Sequence, residues 1–359
     1  MVVSALPDAS VCNATSSAAP STLHRVWVGG RCPDVQELVS LLVASLILEP
    51  EAIHYYIDGW HPTARPHLQC RAAKESFWSC PRALNASLHF VNRLDNRSHF
   101  AGSVADFKAR VAVGEWPWQQ QYRAAHLSDI IRLWVLNQHG GIYLDSDVFV
   151  LSRSLLAFTR CPFTVASDLQ DGPSDGELVK IVGAAGVVND TKLAAANRVS
   201  TPAAMTNVNN GILVAKPNST FGNWWWRRLE RWPGLKWSTH SCVWPLEFER
   251  AHPEHLQVAL SVRTFPFYRL NASMSWAGHV AALAARNVTA IHLTGTDRSV
   301  GKRGEQLLPV MRAALDHAIR AREARGVRLT PAQRTCLRTA RQWMEVKERT
   351  GQLRREAVN

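Results

Sequence analysis

Apolar positions along this chain follow two rhythms. "TLHRVWVGG", Thr22–Gly30, reads as a short strand that closes on a glycine turn. A helical pattern runs from Asp34 to about Leu48, and "AIHYYIDG", Ala52–Gly59, reads as a second strand. Strand, helix and strand in that order open an α/β layer with parallel pairing. Residues 61 to 110 break the rhythm with Pro, Asn and scattered aromatics, which predicts loops with one or two short helices. From Gln119 to Gln138 it returns. Leu127, Ile130, Ile131 and Trp134 fall at i, i+3, i+4 and i+7, the stripe of an amphipathic helix. Gly140–Gly141 stop that helix. "GGIYLDSDVFVL", Gly140–Leu151, then predicts a strand interrupted by two carboxylates. "DLQDGPSDGE", Asp168–Glu177, is a loop by composition, and Asn207–Asn218 is a strand led in by polar residues. A Trp-dense helix follows it. "TAIHLTG", Thr289–Gly295, is a late strand, and basic amphipathic helices fill the rest from about Lys302.

Composition bounds what these elements can build. The chain has 359 residues, 46% hydrophobic and 19% charged, which predicts a packed core over most of its length. Three regions result: a disordered leader at 1–21, a globular domain at 22–300 and a basic helical extension at 301–359. The net charge is +12, but the basic residues scatter instead of forming one patch, so a nucleic-acid partner is not expected. "LVSLLVASLIL", Leu38–Leu48, is too short to span a bilayer and reads as a buried helix.

The cysteines at 12, 32, 70, 80, 161, 242 and 336 include no CxxC pair, so a zinc site is not expected. Cys70 and Cys80 are close enough in sequence to form a local disulfide. Sequons at Asn13, Asn85, Asn96, Asn189, Asn218, Asn271 and Asn287 predict a product of the secretory pathway, in the Golgi or another lumen. The start, "MVVSALPDAS", has no basic n-region and no apolar h-region. The expectation is therefore a membrane association through an anchor missing from this sequence, with a cytoplasmic location as the alternative.

The chemistry centres on Asp145 and Asp147. Burying a charge is costly unless it is paired or binds a metal. At the carboxyl end of a strand in an open α/β sheet, where ligands bind, two carboxylates can hold Mg²⁺ or Mn²⁺ through oxygen, and the cation can grip a diphosphate. Alone, this spacing equally fits a turn with two surface carboxylates. The preceding helix adds Asp129 and Arg132 at i and i+3, on one face and offset from its apolar stripe. They form either an intrahelical ion pair or a second wall of the same site. Fourteen tryptophans, six of them between Trp224 and Trp244, could stack on sugars. Three in a row must point in different directions around a helix, which favours packing.

The segment "AHLSDIIRLWVLNQHGGIYLDSDVFVL", Ala125–Leu151, resembles the core motif of glycosyltransferase family 32, and more distantly that of the clostridial glucosylating toxins. "HRVWVGG", "NNGILVAKPN" and "AIHLTG" resemble further blocks of that family, so the likeness spans roughly residues 22 to 300. The resemblance implies a GT-A type α/β fold, with a mostly parallel central sheet flanked by helices. It implies a retaining transferase that moves a hexose from a UDP- or GDP-linked donor to a glycan, glycolipid or protein. By the same resemblance Asp145, Asp147 and His292 would hold Mn²⁺ or Mg²⁺. Asp129 and Arg132 would contact the donor sugar and phosphate, and Trp27 would stack on the base. Tyr143 and Asn210 would complete the donor site. "TGTDRSVG" after His292 departs from the family's Ser-Trp. Two rivals remain: a haloacid-dehalogenase-like phosphatase using the paired aspartates, and a nucleotide- or sugar-binding protein on an inactive transferase fold.

Overall fold

The computed structural model describes residues 12, 17–28, 34–57, 77–90, 123–167, 208–230, 239–259, 261–266, 276–285, 288–294 and 300–356. The loop expected at Asp168–Glu177 lies outside these residues. Seven strands form the main sheet: β1 (Leu23–Trp27), β2 (Ile53–Ile57), β3 (Ser87–Phe90), β4 (Gly141–Leu144), β6 (Phe163–Ser167), β7 (Val208–Ala215) and β8 (Gln257–Ala259). They lie in the order β3-β2-β1-β4-β7-β6-β8. Only β7 runs against its neighbours; the other pairings are parallel. The mostly parallel, helix-flanked sheet expected from the sequence is the one observed. A smaller sheet joins β5 (Val148–Val150), β10 (Ala290–Thr294) and β9 (Val262–Pro266).

Strand alternation separates two cores. In β4, Ile142 and Leu144 pack on one face while Tyr143 packs on the other. The first face is covered by α1 (Val35–Leu48) and the hairpin α6 (Val300–Glu323) and α7 (Pro331–Glu356), all within one cluster. The second carries α2 (Arg123–His139), α3 (Thr220–Glu230) and α4 (Trp244–Ala251). A further helix, α5 (Trp276–Ala285), packs against α6. Every residue of α1 is buried, because the helix lies between the sheets and the C-terminal hairpin. That accounts for the apolar run at 38–48 as core. No helix among the described residues is long and apolar enough to cross a membrane.

Local chemistry sets the boundaries. Asp34 caps α1 by accepting from the amides of Gln36 and Glu37. Glu49 ends it in the left-handed region, and its carboxylate meets Arg153, Arg322 and Arg325. Gly140 and Gly141 end α2 with φ of 64° and 106°. A Cβ on Gly140 would lie 2.7 Å from Pro217 Cδ, so the turn into β4 requires glycine by backbone and by space.

The cysteines correct one expectation. Cys80 is bonded to Cys336, 256 residues away, so no local bridge to Cys70 forms. Cys12 is bonded to Cys161, and Ala19 N donates to the Thr159 carbonyl. These contacts fasten the segment before β1 to the 3₁₀ helix Arg153–Arg160. The tryptophans pack as the helix argument expects: Trp225, Trp226 and Trp244 are buried in the second core.

Candidate functional site

The strand read as carrying both aspartates is two strands. β4 ends at Leu144, Asp145–Ser146–Asp147 form a turn, and β5 begins in the other sheet. The turn is gripped from several sides. Arg25, buried in β1, donates to the Asp145 carbonyl at 2.6 Å and to that of Leu144 at 3.3 Å. Its other arm donates to Ser40 Oγ on α1, and Ser40 donates to the Val148 carbonyl. Asp145 N donates to the Gly211 carbonyl on β7, and Leu293 N on β10 donates to the Asp147 carbonyl. These bonds hold the turn's backbone, so its carboxylates are presented from a fixed frame.

Two groups of side chains meet at this turn. The first is Asp145, Asp147 and His292. One ligand atom from each lies within 4.8 Å of the others, and His292 Nε2 is 3.0 Å from Asp147 Oδ1. Two carboxylate oxygens and an imidazole nitrogen fit Mn²⁺, or Mg²⁺ with less use of the nitrogen. Gly211 makes room for them: a Cβ there would come within 2.7 Å of His292 and 3.0 Å of Asp145.

The second group braces Asp145. Tyr143 OH donates to Asp145 Oδ1 at 2.5 Å. Arg132 donates to Asp145 Oδ2 at 3.2 Å, and to the Asn210 carbonyl, Ser128 Oγ and the Ser128 carbonyl. It also lies 3.3 Å from Asp129 Oδ1, and its guanidinium sits 4.5 Å over the Tyr143 ring. Burial alone would lower the Arg132 pKa, but the charge of Asp145 above all, with that of Asp129, carries it above its ordinary value. Burial pushes the Tyr143 hydroxyl well up, so it stays a donor. Asn210 Nδ2 donates to Asp129 Oδ1 at 2.7 Å.

Asp129, Arg132, Tyr143, Asp145 and Asn210 therefore form one continuous network, joined at Asp145 to the candidate metal-ligating group. Arg132 directs its N–H groups at protein partners and reaches the site through Asp145. Tyr143, fully buried, does the same. Trp27 stands at the carboxyl end of β1, the strand beside β4, packed partly against the first core.

Sequence reasoning missed Arg25, Ser40 and His240. His240 is buried and its Nε2 lies 2.7 Å from Asp129 Oδ2. It also missed Glu37. Burial, partly offset by Arg25, pushes that carboxyl up to about 7. Arg25 had one visible signal, a charged residue inside a stretch that reads as a strand. His240 had none.

Residues 92–160 match the glycosyltransferase sugar-binding region containing a DXD motif, which places Asp145 and Asp147 as that motif. Over 144 residues the chain is 30% identical to "Glucan organizing enzyme 1" of Cryptococcus neoformans var. grubii, covering 39% of this chain. It spans about a third, 31%, of that relative's length. Among solved structures it is similar to the galactosyltransferase LgtC (13% identity, TM-score 0.38, covering 86% of this chain and 97% of that one). It is also similar to the glycosyltransferase PaToxG (14%, 0.35, 94% and 90%). A third is the catalytic domain of Clostridium novyi alpha-toxin (10%, 0.33, 84% and 68%).

Proposed function

We propose, on the premise that this chain carries the sugar-binding region of the DXD-containing glycosyltransferases, that it is a metal-dependent hexosyltransferase. Its donor is a nucleotide-diphosphate sugar, linked through UDP or GDP, and its acceptor a glycan, glycolipid or protein. Transfer proceeds with retention. The observation that carries this reading is the meeting of Asp145 and Asp147, within the matched region, with His292 from β10 at the carboxyl end of β4.

The chemistry asked of the site is departure of a nucleoside diphosphate from an anomeric carbon. A bound Mn²⁺ or Mg²⁺ supplies the charge that stabilises the leaving diphosphate. The chain's own part is preorganisation. Asp145, Asp147 and His292 would hold the ion, each fixed by a neighbour or by the turn's backbone. Tyr143 and Arg132 hold the Asp145 carboxylate in place, and the buried Arg132 cation adds positive potential behind it. Asp129 and Asn210 form the wall beside Arg132 where the donor hexose would lie. Both Asp129 oxygens already accept hydrogen bonds, which suits it to orienting a sugar and not to attacking one.

The lumen of the secretory pathway is the proposed location. Two disulfides among the described residues close loops of 149 and 256 residues, and such bridges persist in oxidising compartments. The sequon residues Asn85 and Asn218 are exposed, each at a left-handed turn position.

The test is release of UDP or GDP from UDP-glucose, UDP-galactose and GDP-mannose by purified protein, with Mn²⁺ and with EDTA. Release with Mn²⁺ alone is expected, and Asp147→Ala should abolish it. Donor binding without release by the wild type would identify a binding protein instead. No binding of any nucleotide sugar in the presence of Mn²⁺ would overturn the reading. Turnover intact in Asp147→Ala would overturn the metal assignment.

A further inference from the structure

His240 connects the braced site to a part of the chain that carries none of the motif. It lies in Thr239–Val243, a π-helical turn directly ahead of α4. Such wide turns recur at functional sites, where they re-aim a side chain. This one packs on β7, the strand that carries Asn210 and Gly211. Trp225 on α3 pins it: the indole Nε1 donates to the His240 carbonyl at 2.8 Å. The imidazole then reaches Asp129 Oδ2 at 2.7 Å while Asn210 and Arg132 share Oδ1 at 2.7 and 3.3 Å. Asp129 has each oxygen engaged on a different side, which fixes its carboxylate plane.

We propose that His240, held by Trp225, is a positioning residue for the donor hexose. It sets the orientation of Asp129, and through it the placement of Asn210 and Arg132. This deepens the transferase reading and rests on it. Metal binding should be separable from this role. Asp145 keeps its bonds from Tyr143 and to the Gly211 carbonyl whatever happens at His240. The proposal also gives the Trp run a purpose: Trp225 is a packing residue whose one polar atom anchors the positioning turn.

The test compares His240→Phe and His240→Gln with the wild type. Three quantities are read: kcat and KM for UDP-glucose, UDP-galactose and GDP-mannose at saturating Mn²⁺, the Mn²⁺ dissociation constant alone, and the melting temperature. A hydrogen bond to a charged group is worth enough that His240→Phe should lower kcat/KM about ten- to a hundredfold. Its Mn²⁺ affinity should stay within about threefold. Gln can donate from the same side, so His240→Gln should recover most of the loss. Kinetic constants of His240→Phe equal to the wild type would overturn the proposal. So would losses of release, Mn²⁺ affinity and melting temperature moving together in both variants, which is the signature of a structural role. If the wild type turns over none of the donors, the transferase reading falls and this inference with it. Turnover by the wild type with an inert His240 sinks the inference alone.

Discussion

One added methyl group at Gly211 tests the metal site with little damage elsewhere. Gly211 lies within β7 and is absent from the positive-φ glycines, so alanine meets no backbone penalty there. Its Cβ would stand 2.7 Å from His292 Cε1, 2.8 Å from Asn209 Oδ1 and 3.0 Å from Asp145 Oδ2. Ordinary contact starts at 3.4 Å, so the imidazole must retreat by about 0.7 Å and the carboxylate by about 0.4 Å. Both are side-chain atoms and can give way, so overpacking should cost about 1–3 kcal/mol of folding stability. A metal site is less tolerant. Its groups must hold productive geometry to within about 0.5 Å, and comparable disturbances around metal ligands cost about 10- to 100-fold in affinity. Gly211→Ala should thus fold, melt a few degrees lower, and bind Mn²⁺ at least about tenfold more weakly. Calorimetric titration of Mn²⁺ into metal-free protein reads the affinity, and a thermal melt without metal supplies the control. A folded Gly211→Ala protein with wild-type Mn²⁺ affinity would refute the assignment of His292 and Asp145 to one ion.

Two further outcomes follow from the same network and its neighbours. Arg132→Lys keeps the charge but loses the fork that joins Asp145, Asp129 and Asn210, so nucleotide release should fall by at least about a hundredfold; release within threefold of the wild type would show that charge alone suffices. Acid should weaken the fold through His24, which burial, partly opposed by its bond to the Gly140 carbonyl, lowers to about 3 from 6.5. The unfolded chain then takes up a proton that the native chain refuses, so this stabilisation is full above about 6.5 and drains away as pH falls toward 3. At pH 5 the loss is about 2 kcal/mol from His24 alone. His54, His89 and His139, each lowered chiefly by burial, act in the same direction. Urea midpoints at pH 7.5 and 5 would measure it, and His24→Gln should flatten the difference; an unchanged slope in that variant would place the acid sensitivity elsewhere.

What the sequence revealed of the site was what lies close along the chain. Asp129 and Arg132 share a helix face by spacing, Gly140–Gly141 end that helix, and Asp145 and Asp147 follow within six residues of the stop. Local geometry alone brings those parts together. His240 stands 111 residues from Asp129, on a turn whose π-helical winding no periodicity announces. Arg25 gave no sign of its role, because two of its partners are the backbone carbonyls of Leu144 and Asp145, 119 and 120 residues away. The Cys70–Cys80 expectation failed for the opposite reason. It relied on nearness in sequence, whereas the C-terminal hairpin folds back over α1 and brings Cys336 to Cys80.

The turn's placement between two sheets has a mechanical consequence. Asp145 closes β4 of the main sheet, Asp147 opens toward β5 of the small one, and His292 sits on β10, paired with β5 and β9. An ion held by all three would tie the sheets across their junction, adding to the Leu293–Asp147 and Ser167–Val262 bonds and to packing. Binding at a hundredfold above the dissociation constant adds about 2.7 kcal/mol to the bound state. If the ion is shared, that protection must appear on both sides of the junction. Amide hydrogen exchange should slow with Mn²⁺ at residues 141–147 and also at 290–294. In His292→Ala, Mn²⁺ held by the two aspartates should slow only the first stretch. Protection confined to residues 141–147 in the wild type would mean that His292 is a neighbour of Asp147 and not a ligand.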